Sequence, residues 1–133
     1  MNNPNALYET HLRSLKLRAR GKVRDIYDVD AELMLIVATD RLSAFDCILP
    51  DPIPEKGRVL TSVSEFWFKH FKDIVPSHQT SVDLSAVIHD AAEANLLKGR
   101  AVIVRKLKAL PVEAVVRGYL IGSGWKDYQA SGK

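Results

Sequence analysis

The chain has 133 residues, 47% of them apolar, and its 19 Lys+Arg against 16 Asp+Glu leave a formal charge of only +3. That length predicts one domain-sized globular core, and so small a net charge singles out no class of partner. The longest apolar run, Leu33 to Ala38, is far below the roughly 20 residues that cross a bilayer, which argues against a membrane helix.

A lone Cys47 has no partner for an internal disulfide, and the start MNNPNALYE lacks the charged-then-apolar pattern of a secretory leader. The expectation is a soluble protein of the reducing cytoplasm. Charge is unevenly spread. Arg13 to Arg24 holds six basic residues and no acid, and Lys98 to Lys108 holds five more, a distribution that points to anionic ligands.

In chain order, LKLRARGKVRDIYDV (15–29) alternates Leu15, Leu17, Ala19, Gly21 and Val23 with Lys16, Arg18, Arg20, Lys22 and Arg24. A strand sends successive side chains to opposite faces, so the stretch predicts one apolar and one cationic face. After a polar turn at 30–32, LMLIVAT completes a predicted hairpin. Gly21 inside such a pattern marks a bulge or a close backbone approach. Its backbone, with Lys22 and Arg24, suits phosphate oxygens. A solvated basic edge strand is the competing reading. The spacing matches neither a Walker loop nor a GxGxxG fingerprint.

DRLSAFD (40–46) reads as a loop after a buried strand. It suits a polar substrate, although turn and cap chemistry explains Asp and Ser there more readily. Pro50, Pro52 and Pro54 keep the following residues in loop. From Arg58 the apolar positions Val59, Val63, Phe66, Trp67, Phe71 and Ile74 recur at helical spacing, with Ser62 and Glu65 at capping-box spacing and Pro76 beyond the far end. Trp67 and its neighbouring phenylalanines read as core.

Residues 83–97 predict a second helix that stops at Gly99. RAVIVRKL and EAVVRGYL read as strands around a Pro111 connection. In RGYLIGSGW (117–125), a helix capped at Ser123 would set free N–H groups opposite Arg117. That outlines an anion site, or else a tight turn with a surface arginine. His11, His70, His78 and His89 have no metal-ligand spacing, and Cys47 has no visible base.

Together, ARGKVRDIYDV (19–29), ATDRLSAFD (38–46), IPEKGRVLTSVSEFWF (53–68) and GRAVIVRKLKALPVEAVVRGYLIGSGWKDY (99–128) resemble the SAICAR synthetase family of purine biosynthesis. The resemblance implies an α+β, ATP-grasp-like nucleotide-binding lobe with an antiparallel sheet over 1–108. It implies a linker and the start of a second lobe over 109–133. The activity implied is ATP- and Mg²⁺-dependent ligation of carboxyaminoimidazole ribotide to L-aspartate. Gly21, Lys22, Val23 and Arg24 match the hairpin over the ATP phosphates, and Lys106, Leu107 and Val112 fall in the linker that meets adenine. Asp40, Arg41, Ser43 and Asp46 match the loop facing the substrate cleft, while Arg117, Gly122 and Ser123 match the ribotide phosphate site. The family's metal-holding acids and catalytic groups lie beyond Lys133, so this stretch is expected to hold no metal and to be inactive alone.

Neither nucleic acid nor membrane is implied as a partner, and a homo-oligomer is compatible. Two alternatives stand beside the resemblance. One is a lobe of another ATP-grasp-like ligase or kinase. The other is a small basic nucleic-acid-binding module, which would lack aromatics on its cationic face because Tyr27 falls on the apolar side.

Overall fold

The computed structural model describes residues 6–112 and 114–132. Strands β1 (Lys16–Arg20), β2 (Arg24–Asp28), β3 (Leu33–Ala38) and β6 (Ala101–Arg105) form one sheet in the order β1-β2-β3-β6, with every pairing antiparallel. β4 (Ser43–Ala44) and β5 (Cys47–Ile48) make a separate small hairpin. The helices are α1 (Lys56–His70), α2 (Ala91–Leu97) and α3 (Gly122–Ser131), with a 3₁₀ turn at Leu84–Ala86. The class is α+β, as the sequence predicts.

β3 is central, which explains why its apolar run does not alternate: both of its faces are covered. Leu35 and Val37 join Tyr27, Ile103, Leu12, Ile88 and Leu97 in the buried core on one face. Ile36 and Ala38 face a cavity beneath α1 on the other.

The cationic stretch is two strands rather than one, with residues 21–23 forming the turn between them. Nor do its cations share a face. Leu17 lies opposite Tyr27 but Ala19 opposite Ile26, so a bulge at Arg18 inverts the alternation. Cross-strand partners share a face. Lys16, opposite Asp28, therefore lies on the Ile26 face, and Arg20, opposite Asp25, on the core face.

Helix α1 starts at Lys56, ahead of the Ser62–Glu65 box, and its N-cap Glu55 makes no side-chain cap bond. The cap comes from elsewhere in the chain: Asp40 Oδ1 accepts the Gly57 N–H at 2.8 Å. Gly57 also lets the helix cross the end of β3, since a Cβ there would lie 2.2 Å from the Ala38 carbonyl oxygen. Beyond this first turn the helix hardly packs, and only Gly57 and Thr61 of it are buried. Phe66 is 59% and Trp67 48% exposed. Of the expected aromatic core, Phe66, Trp67 and Phe71 form a surface cluster along the helix with His70, while Phe68 is half-buried and lines the cavity beneath α1.

The helix expected over 83–97 is two pieces. Asp83 accepts the Ser85 N–H, and Asp90 accepts the N–H groups of Ala92 and Glu93, so each piece has its own cap. Between them Ile88 is buried in the core. Gly99, at φ +72°, stands just past the end of α2, where the stop was expected.

Strand β6 ends at Arg105, and no strand forms over 114–120; Glu113, where it was expected to begin, lies outside the described residues. A strand needs a free edge to pair with, and the outer edge of β6 is already taken. Thr80 N–H donates to the Ile103 carbonyl, Arg105 N–H to that of His78, and Gln79 bridges Val104. Helix α3 begins at Gly122 without a side-chain cap, which puts Ser123 inside the first turn instead of at the cap.

Candidate functional site

The β1–β2 turn is shaped by Arg41. This side chain is only 2% exposed, and its guanidinium donates to the carbonyls of Lys22 (3.0 Å), Gly21 (2.9 Å) and Tyr8 (2.6 Å) and to Asp25 Oδ1 (2.8 Å). With those carbonyls engaged, the amides of Lys22 and Val23 have no acceptor among the described residues. Such a turn of unpaired N–H groups beside cations is suited to an anion. The resemblance implied that Arg41 falls in the loop facing the substrate cleft; its side chain lies behind the hairpin and braces it.

The cations of the stretch have different partners. Arg18 pairs with Asp28, Arg20 with Glu9 and Asp25, and Lys22 with Asp46. Arg24 has no carboxylate partner among the described residues. The uniform cationic face read from the alternation is thus partly neutralised from within, and of its five cations Lys16, at the far end of β1, and Arg24, beside the turn, have no carboxylate partner among the described residues.

Asp40 is fully buried. Besides capping α1, it accepts the Leu7 N–H at 2.8 Å and Arg100 at 3.0 Å. Burial pushes its pKa up, but the two backbone N–H bonds and Arg100 outweigh that, so the carboxyl titrates below the usual range. Asp25 follows the same balance, with Arg41 and Thr10 opposing burial. Both expected cleft residues, Asp40 and Arg41, therefore point inward. Ser43 and Asp46 stay accessible on the β4–β5 hairpin. At its tip Phe45 (φ 49°) and Asp46 (φ 63°) are both left-handed, as a two-residue hairpin turn requires. Asp46 Oδ1 lies 2.5 Å from Lys22 Nζ, joining this loop to the β1–β2 turn, and that hydrogen bond holds its carboxyl below the ordinary range.

Beside the turn, a cavity of about 260 Å³ opens between the sheet and α1. Val23 and Arg24 line it, as do Lys56, Thr61 and Arg100, which the sequence did not single out. Lys56 and Gly57 lie within IPEKGRVLTSVSEFWF (53–68), a segment that carries part of the resemblance but in which neither was given a role.

In the segment expected to be a linker, Lys106 Nζ is tied to Asp28 at 2.7 Å and the Lys106 backbone N–H donates to the Glu32 carbonyl, while Leu107 and Val112 stand exposed. Arg117 and Ser123 are brought together along a separate open depression of about 430 Å³. Gly122, at φ +63°, lies under the Arg117 guanidinium, 3.1 Å from where a Cβ would stand. Among the described residues no three His, Cys, Asp or Glu side chains group to hold a metal, and no helix is long and apolar enough to cross a membrane.

A four-stranded antiparallel sheet whose end hairpin offers free amides and cations defines an α+β fold with a turn suited to an anion. Residues 17–133 match the SAICAR synthetase family, and the chain belongs to that family. It is 65% identical over 132 residues to the phosphoribosylaminoimidazole-succinocarboxamide synthase of Methylococcus capsulatus, covering 99% of this chain and 44% of the relative. The same enzyme of Thioalkalivibrio sulfidiphilus is 59% identical over 127 residues, or 96% of this chain and 43% of the relative. A solved SAICAR synthase from Saccharomyces cerevisiae, in complex with SAICAR, superimposes with a TM-score of 0.86 at 43% identity, over 96% of this chain and 46% of that one. The chain thus spans less than half the length of these relatives.

Proposed function

We propose that this chain is the ATP-binding lobe of a ligase that joins the carboxylate of carboxyaminoimidazole ribotide to the amine of L-aspartate. In that reaction a ribotide carboxylate oxygen bonds to the γ-phosphorus as ADP departs. The aspartate nitrogen then bonds to the activated carbonyl carbon, inorganic phosphate leaves with its electron pair, and the ammonium proton passes to solvent. Phosphoryl transfer of this kind depends mostly on positioning and charge neutralisation.

The observation that carries the reading is the Arg41-braced turn, with the free amides of Lys22 and Val23 beside the Lys22 and Arg24 side chains. Held in place before any ligand arrives, these donors need little reorganisation. Ser43 and Asp46 are assigned to the substrate side, and Asp40 and Arg41 become positioning residues. Arg117, Gly122 and Ser123 would take the ribotide phosphate, the linker of Lys106, Leu107 and Val112 the adenine edge, and the second lobe would begin near residue 109. ATP fits the donor set at the turn. Mg²⁺ has no carboxylate cluster to hold it among the described residues.

Calorimetric titration of ATP into the chain and into Lys22→Ala tests the reading. Losing a charged hydrogen bond removes about 1.5 to 3 kcal/mol, so ATP affinity should fall at least tenfold. Equal affinities would take Lys22 out of the site, and no ATP binding by the unaltered chain would overturn the reading itself.

A further inference from the structure

We infer that the cavity between the sheet and α1 is an oxyanion subsite, with Lys56 as a ligand-binding residue for a terminal phosphoryl group. This rests on the reading of the turn as an ATP site, because the cavity opens directly from that turn through Val23 and Arg24.

Three features define it. Arg24, Lys56 and Arg100 all line the cavity and no carboxylate does. Neither Arg24 nor Lys56 has an acidic partner among the described residues. Arg100 is 3% exposed and pairs with Asp40 through one terminal nitrogen, but its Nε is buried with no hydrogen-bond partner.

Apolar side chains make up much of the remaining wall, and such a wall lowers the local dielectric, which strengthens attraction between these cations and an anion. The hydroxyls of Thr61 and Ser64, one turn apart on α1, line the same space and can donate to phosphoryl oxygens. Lys56 sits at the first position of α1, whose helix dipole adds attraction for an anion. With Lys22 and Arg24 on the preceding phosphates, Lys56 is placed to neutralise the last one.

The test uses inorganic phosphate, ATP and AMP as probes on the chain and on Lys56→Ala and Lys56→Arg, by calorimetry and by mapping backbone amide shifts. Inorganic phosphate should shift the amides of Arg24, Lys56, Thr61 and Ser64, and ATP should displace it. Lys56→Ala should weaken phosphate and ATP by about tenfold or more and change AMP less than about twofold, since AMP lacks the γ-phosphoryl group assigned to the cavity. Lys56→Arg should keep most of the affinity. Phosphate that shifts none of these amides, or binds Lys56→Ala unchanged, overturns the inference. If phosphate binds as described and ATP does not, the subsite stands and the nucleotide reading falls. ATP binding that is indifferent to Lys56→Ala gives the reverse.

Discussion

Arg41 holds three backbone carbonyls and a buried carboxylate at once, so its removal should act on stability and binding together. Breaking a buried ion pair typically costs about 3 to 5 kcal/mol. Arg41→Ala should therefore lower the urea midpoint sharply and weaken ATP in proportion to the loosened turn. Unchanged stability with only a substrate defect would restore Arg41 to the cleft. Asp25 and Asp40 give a pH signature. Both titrate below the usual range when folded, so their contribution is fully present above the unfolded carboxylate value of about 3.9 and is lost as pH falls through the depressed folded values. Urea midpoints should be level from neutral pH to about 5 and drop below about 4. A flat profile through pH 3 would show that neither carboxylate is linked to folding.

At the scale of the element, α1 separates periodicity from packing. Its apolar spacing was legible from Val59 to Ile74, but the buried contact lies at Gly57 and Thr61, where small residues let the helix backbone approach β3. Gly57→Ala should thus be among the most damaging small changes in the chain. Overpacking costs about 1 to 3 kcal/mol, and contact with a backbone oxygen puts this one at the upper end, readable as a fall in urea midpoint. Val63→Gln with Phe66→Gln, on the exposed face, should by contrast shift stability by no more than about 0.5 kcal/mol per site. A loss of several kcal/mol would mean the aromatic cluster is core after all.

Across the whole molecule, the turn and the Arg117 depression are two separate concavities with different linings. Arg117→Ala should weaken ribose 5-phosphate binding while leaving ATP affinity unchanged, and Arg117→Lys should recover only part because an ammonium lacks the bidentate fork. Parallel loss of both ligands in calorimetry would argue for one shared site. The sequence by itself determined the buried apolar strand at 33–38, the glycine among cations, the stop at Gly99 and, through the order of its motifs, the kinship that implies the α+β class, because strand period, glycine punctuation and motif order are local properties of the chain. The tertiary structure alone decided the rest. A bulge at Arg18 inverted the cationic alternation, and Asp40, rather than a neighbouring Ser, capped α1 from 17 residues away. The edge of β6 was filled by residues 78–80, leaving 114–120 unpaired. Arg41, expected in the loop facing the substrate cleft, lies buried behind the β1–β2 turn and holds its carbonyls. Each of these depends on which distant partner satisfies a backbone group or a buried charge, and that partner is chosen by packing in three dimensions and leaves no periodic trace along the chain.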